Sequence, residues 1–160
     1  MLYGPGSVSV ITVPEPERFD PLPDDRAARW ANFQTRQAPH FAGLLGLTIE
    51  DLRVGYCRMR LPFRTQHTPP AGIVHGGAIA SLIDTSAVPA IGSLFDGPTP
   101  YSTIDMQVQY VGAAGEGTDL VATGWVTRQG RSVVFCRSEV ATDGGEPVAS
   151  GTLAFKVSRS

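Results

Sequence analysis

His75, Gly76, Gly77 and Asp84 are the residues whose types and spacing could do chemistry. Gly76 and Gly77 open an apolar segment of helical spacing. Backbone N–H groups at a helix start have no intrahelical acceptor, and two absent side chains let another molecule come close to the backbone. Such a turn suits an anion, or a carbonyl oxygen becoming one. It equally suits a plain glycine turn that only starts a helix. Asp84 lies in the middle of the same segment, where Asp is a poor helix former. Helical projection places it at the flank of the apolar stripe. A carboxylate partly withdrawn from water there suits a general base or a nucleophile. It is the only formally charged residue from Thr65 to Phe95, and no Lys or Arg occurs from Thr65 to Thr127. Most mid-helix Asp residues are exposed surface groups, and that isolation makes such a reading less attractive here.

Spacing adds a constraint. Gly76 and Asp84 are eight residues apart in the chain. That is roughly 12 Å along a helix axis, at about 1.5 Å per residue. A single carbonyl cannot touch both within one protomer. If both act on one substrate, two chains supply them, through antiparallel helices about a two-fold axis. The expected assembly is therefore a homodimer. His75 has three readings, as base, ligand or structural group; a bond to nearby backbone is the commoner role at a helix start. His40, His67 and His75 lack ligand-like spacing, so neither a metal nor another cofactor is expected. No G-x-S-x-G elbow is present, which argues against a serine hydrolase.

The elements that must position these residues follow from hydrophobic period. Ile79, Leu82, Ile83, Ala87, Ala90, Ile91 and Leu94 keep the i, i+3, i+4, i+7 rule and predict one strong helix. Pro89 inside it predicts a kink or an early end. Before the helix, Leu47 and Ile49 alternate with polar residues, Gly55 makes a turn, and Cys57, Met59 and Leu61 alternate again. This pattern predicts a hairpin. After the helix, four strands are expected over 102–111, 119–127, 132–141 and 148–157. In the first of these Ile104, Met106, Val108 and Tyr110 alternate against Thr103, Asp105, Gln107 and Gln109. Short turns make the neighbours antiparallel. One apolar helix serving one antiparallel sheet is an α+β arrangement. Upstream, five prolines in residues 1–23 predict an extended arm, with a short strand near Val8–Val13 as a weaker reading. Residues 24–38 read as an extra N-terminal helix whose Trp30 and Phe33 pack on the main domain. Residues 24–160 read as one domain with its core over 41–157.

Composition bounds the function. The chain has 160 residues, a formal net charge of −2 and 18% charged residues. It lacks the positive excess that sequence-independent nucleic-acid binding needs. No apolar run reaches the length of a membrane span, and residues 1–13 lack the Lys or Arg that a signal peptide carries. A cytoplasmic protein with no membrane partner is expected. Cys57 and Cys136 sit apart in strand-like runs and read as buried thiols.

Gly72–Ile73–Val74–His75–Gly76–Gly77, followed by Ala80, Leu82, Asp84 and Thr85, resembles the signature of the hotdog-fold thioesterases, closest to the PaaI-like acyl-CoA thioesterase branch. Phe41–Gly46, Ser102–Met106, Gln129–Gly130–Arg131 and Gly144–Gly151 resemble further segments of that family. The resemblance implies a curved antiparallel sheet around the central helix, and dimers often paired into homotetramers. It implies hydrolysis of an acyl-CoA to a free acid and CoA. In that reading Asp84 matches the catalytic carboxylate, and Gly76 the residue whose backbone N–H polarises the thioester carbonyl across the dimer interface. Thr103 matches a water-placing Ser/Thr, and His75 and Gly77 complete the turn. Many members carry Asn six residues before the signature His; here that position is Pro69, with Gln66 and His67 the polar residues close by. The CoA phosphates call for arginines outside the uncharged stretch, Arg128 and Arg131 first, then Arg58, Arg60 and Arg64. A non-catalytic acyl-CoA binder of the same fold is the alternative that Pro69 motivates; a hotdog dehydratase or hydratase is disfavoured by the lone Asp.

Overall fold

In the computed structural model, which describes residues 12–158, the long apolar stripe becomes α4, Gly76–Gly92. Its periodic residues Ile79, Leu82, Ile83, Ala87, Ala90 and Ile91 are all buried. Six antiparallel strands surround it: β1 (Thr48–Arg53), β2 (Tyr56–Leu61), β3 (Tyr101–Tyr110), β4 (Leu120–Gln129), β5 (Val133–Thr142) and β6 (Pro147–Val157). They form one sheet in the order β1-β2-β4-β5-β6-β3. This is the expected α+β arrangement of a curved antiparallel sheet around a central helix.

Two glycines let the helix lie close on the sheet. A side chain at Gly124 of β4 would come within 2.7 Å of Ser86 Oγ, and one at Gly151 of β6 within 2.5 Å of the Ile83 side chain. A polar contact in this layer, Ser86 Oγ to Ser138 Oγ at 2.8 Å, is fully buried. α4 continues through Pro89 and ends three residues later at Gly92, the early end expected of a helix holding proline.

The N-terminal helical segment is present but broken. α1 (Asp24–Trp30) and α2 (Phe33–Gln37) replace the single helix expected over 24–38. Asn32 leaves helical geometry at φ −107°, ψ 28°. The break turns both aromatic residues inward: Phe33 is buried, and the Trp30 ring fills the space beside Gly92. Arg36 donates across the break to the Arg29 carbonyl at 2.7 Å, partnering an oxygen near the end of α1 that the helix itself leaves open. A short helix not foreseen, α3 (Phe41–Leu45), follows. Gly46 at φ 74° terminates it, with Leu47 N–H bonded to the Ala42 carbonyl at 3.0 Å, a left-handed cap that glycine suits.

Of the arm expected over 1–23, residues 12–23 are described. They make a 3₁₀ turn at Pro16–Arg18 and bridge Pro21 to Arg53 on the β1 edge. Of the strand reading near Val8–Val13, residues 8–11 lie outside the described residues, and Thr12 and Val13 form no strand. Cys57 and Cys136 are buried and unpaired; burial pushes the Cys57 thiol well up and that of Cys136 up to about 12.

β3 departs from simple alternation. Pairing with β6 shifts register between Thr103 and Asp105, so Ile104 is an extra residue in a bulge. Tyr101 and Thr103 lie opposite Val157 and Phe155; beyond the bulge Met106, Val108 and Tyr110 lie opposite Leu153, Gly151 and Ala149. Both sets therefore face α4. The alternation alone put Thr103 on the face opposite Tyr110. β3 is also the edge of the sheet, so Ile104 (56% exposed), Met106 (38%) and Tyr110 (51%) are not buried as an internal strand would bury them.

Candidate active site

At the start of α4 the two glycines have different duties. His75 is the N-cap, and its Nδ1 accepts the Gly77 N–H at 2.8 Å. Such a cap satisfies one of the open donors of a helix start. The Gly77 donor is thereby taken. With Nδ1 accepting, the neutral imidazole carries its proton on Nε2, and the side chain is exposed. The Gly76 N–H has no partner among the described residues, while its carbonyl accepts the Tyr110 hydroxyl at 2.8 Å. A side chain at Gly76 would meet the Tyr110 ring at 3.3 Å. The Gly76–Gly77 peptide is thus held at both ends, by Tyr110 and by His75. In the sequence Tyr110 is one apolar residue of a strand face, and nothing in its spacing signals the contact.

Asp84 sits half-buried on the flank of α4 that faces β3. The Thr103 hydroxyl donates to its Oδ1 at 2.7 Å. Thr103 reaches it only because the bulge turns this part of β3 to the helix. Gly76 and Asp84 lie on one uninterrupted helix. The separation of roughly 12 Å along the axis therefore stands.

The other expected residues divide. His67 lies in a 3₁₀ turn, Thr65–His67, and is buried. Its carbonyl accepts the His75 N–H at 2.7 Å, so its backbone supports the cap. Burial holds its imidazole below the ordinary value, helped by the charge of Arg64 and opposed by a bond to the Pro62 carbonyl, since desolvation disfavours the charged ring. Pro69 belongs to the following loop, where its carbonyl accepts the Gly72 N–H at 3.1 Å. Arg128 and Arg131 are exposed at the β4–β5 turn and form no ion pair among the described residues. Register puts Thr103, Phe155 and Val134 in one row across β3, β6 and β5. That turn therefore lies beyond a point two strand spacings, roughly 10 Å, from Thr103. The second set of arginines is engaged elsewhere. Arg58 and Arg60 both bond Glu50, and Arg60 also bonds Asp119 at 3.1 Å. Burial alone would raise the Glu50 carboxyl, but these two arginines bring it below its ordinary value. Arg64 donates to the Leu44 carbonyl at 2.9 Å.

The family model of the thioesterase superfamily matches residues 71–149, from the loop before α4 into β6. A Halobacterium salinarum protein that bears an esterase name is 37% identical over 126 residues, covering 72% of this chain and 82% of the relative. The chain belongs to the thioesterase superfamily. Human acyl-coenzyme A thioesterase 13 is 28% identical over 117 residues, 72% of this chain and 83% of that one. The PaaI protein of E. coli superposes with a TM-score of 0.76 at 20% identity, over 86% of this chain and 96% of its own, which identifies the fold as the PaaI hotdog. No helix among this thioesterase's described residues is long and apolar enough to cross a membrane.

Proposed function

We propose that this thioesterase hydrolyses an acyl-CoA to a free acid and CoA at two equivalent sites, each shared between two protomers. The observation that carries the reading is the separation of two complementary groups on one helix. An unpartnered donor, the Gly76 N–H, and a carboxylate, Asp84 with Thr103, stand too far apart to serve one carbonyl in a single chain. The edge of β3 supplies the seam. It offers an unpaired strand edge beside exposed Ile104, Met106 and Tyr110, a surface suited to pairing with a second copy. An antiparallel pair of α4 helices beside it brings Gly76 of one protomer to Asp84 of the other.

In the general-base form, Asp84 takes a proton from a water that Thr103 helps place, and the water oxygen adds to the thioester carbon. The carbonyl oxygen becomes an oxyanion bonded by the Gly76 N–H, with the exposed Nε2–H of His75 as a second donor. Collapse breaks the C–S bond; the CoA thiolate takes the proton held by Asp84, and the free acid leaves. In the nucleophile form, an Asp84 oxygen adds to the thioester carbon, the C–S bond breaks and the CoA thiolate leaves, and water opens the resulting anhydride to the free acid and the Asp84 carboxylate. Trapping with hydroxylamine in a single turnover reports the anhydride, because attack at its Asp84 carbonyl leaves a hydroxamate on Asp84 that the general-base route never forms. Arg128 and Arg131 are the expected contacts of the CoA phosphates, and the cytoplasm is the expected compartment.

Mixed-dimer complementation tests the shared site. Gly76→Pro removes the N–H at a position where proline suits a helix start. His75 before it is already extended, at φ −64° and ψ 135°, as a residue preceding proline prefers. Asp84→Asn removes the base. Each variant alone should be nearly inactive on a panel of acyl-CoAs. Unfolded and refolded together in equal amounts, they should recover about a quarter of wild-type activity, because half the dimers are mixed and each holds one intact site. No recovery would place both groups in one chain. Tight acyl-CoA binding with no turnover by the wild type would favour the non-catalytic reading that Pro69 motivates.

A further inference from the structure

A cavity of about 390 Å³ lies at the C-terminal end of α4, between that helix end, the start of β3 and the two N-terminal helices. Its walls include Trp30, Phe95, Pro98 and Tyr101, and its rim carries Arg29 and Arg36. The Tyr101 hydroxyl donates to the Val88 carbonyl at 2.9 Å. Val88 is four residues past Asp84, one helical turn or roughly 6 Å along the axis. Tyr101 also shares the helix-facing side of β3 with Thr103. The cavity therefore begins one turn away from the Asp84–Thr103 pair, along the same seam.

Its charge is unbalanced. Neighbouring Arg26 bonds the Asp96 carboxylate. Arg29 and Arg36 form no ion pair among the described residues; their guanidinium groups bond only backbone oxygens, of Phe95 and of Arg29. Arg29 Nε and Trp30 Nε1 are buried donors without an acceptor. Capping the negative end of α4 explains Arg29 in part. Partnering the end of α1 engages only Nη1 of Arg36, and neither cap explains the open donors. Apolar aromatic walls with cationic donors at the rim suit an apolar chain that ends in an anion.

We propose that this cavity receives the distal end of the acyl group, and that Arg29 and Arg36 select acyl chains ending in a carboxylate. The inference rests on the acyl-CoA reading above and names a substrate class for it. The roof comes from α1 and α2, which lie outside the segment matched by the thioesterase family model.

Two measurements test it separately. The first compares kcat/KM for adipoyl-CoA and hexanoyl-CoA, equal in chain length and different in the terminal carboxylate. Wild type should prefer adipoyl-CoA, and Arg36→Gln should reduce that preference by about tenfold, the scale of one charge-assisted hydrogen bond. The second is calorimetric binding of free adipate, which needs no turnover. Arg36 is exposed, so its loss should leave the fold intact. Gly97→Leu gives an independent variant: Gly97 lines the cavity, a side chain there meets open space, and leucine should fill the cavity and weaken adipate binding with both arginines in place. If no acyl-CoA is hydrolysed while adipate binds wild type and not the two variants, the acyl-CoA reading fails and the carboxylate site stands. If thioesters are hydrolysed with no preference for adipoyl-CoA, or with one that both variants retain, the carboxylate assignment is overturned.

Discussion

α4 has two flanks of opposite character. Toward β4, β5 and β6 it is dry and close: Gly124 and Gly151 admit Ser86 and Ile83, and the polar Ser86–Ser138 contact is fully buried. Toward β3 the contacts are polar and sparse: Thr103 to Asp84, Tyr110 to Gly76, Tyr101 to Val88. One flank fixes where the helix lies. The other leaves donors and a carboxylate open to another molecule. Each can therefore be altered with a different readout, activity on the open flank and stability on the closed one.

The sharpest break of this contrast is Asp84→Asn. It should lower kcat by about 10²–10⁴-fold, the range for loss of a positioned acid–base group, with little change in melting temperature. A large loss of stability with intact turnover would move Asp84 to the structural side. On the closed flank Gly124→Ala should do the reverse. Its new methyl would sit 2.7 Å from Ser86 Oγ and 2.9 Å from the Ser86 backbone, which must shift. A destabilisation of about 1–3 kcal/mol is expected from such overpacking, read by urea denaturation. Any residual activity should scale with the folded fraction.

A smaller pair of changes sharpens the open flank itself. Thr103→Val removes a donor to Asp84, and Tyr110→Phe removes the one on the Gly76 carbonyl. Each should lower kcat by roughly tenfold, the worth of one hydrogen bond to a catalytic group, and move unfolding midpoints little. Their effects should separate in combination with Asp84→Asn. Thr103→Val should add little to the loss that Asp84→Asn already causes, because its hydroxyl contacts that carboxylate and partners in direct contact are not additive. Tyr110→Phe should lower the residual activity further. Additive losses for Thr103→Val and Asp84→Asn would mean that Thr103 does not act on Asp84.

The closed flank was legible in the sequence, and the open one only in part. Leu82, Ile83, Ala87 and Ile91 recur at a helical period because burial demands it, so the stripe alone predicts α4 and its core face. The free N–H of Gly76 was legible because helix starts leave donors free whatever the sequence context. Thr103 is different. Alternation places it opposite Tyr110, and only the bulge at Ile104 turns both to the helix. A bulge depends on pairing with β6, a partner distant in sequence, and leaves no local period. The exposure of Met106 and Tyr110 was hidden for the same reason: whether a strand is central or at an edge belongs to the sheet. Asn32 breaks the N-terminal helix so that Trp30 and Phe33 can reach the core, a tertiary demand that outweighs the helical spacing of 26–37. The cavity beneath Arg29 and Arg36 follows from that break and could not be read without it.

The smallest expected effect lies where the two flanks meet, under the loop that leads into α4. His67 is buried there, and its carbonyl holds the His75 N–H. Burial keeps its imidazole below the ordinary 6.5. The folded state therefore favours the neutral ring, while the unfolded chain takes up a proton near that value. Above about pH 6.5 neither state binds the proton and the contribution to stability is fully present. As pH falls through about 6.5 toward the folded value, the unfolded state gains protons that the folded state resists, and stability declines. His67→Gln removes this titration and can still donate to the Pro62 carbonyl. Melting temperature measured from about pH 7.5 down to 5.5 should fall more steeply for wild type than for the variant, with the curves converging in slope above about pH 7. Parallel curves would show that His67 is protonated as readily folded as unfolded. The entrance to the site would then be wetter than its burial indicates, and the division between a dry flank and an open one would fall deeper in the protein than α4.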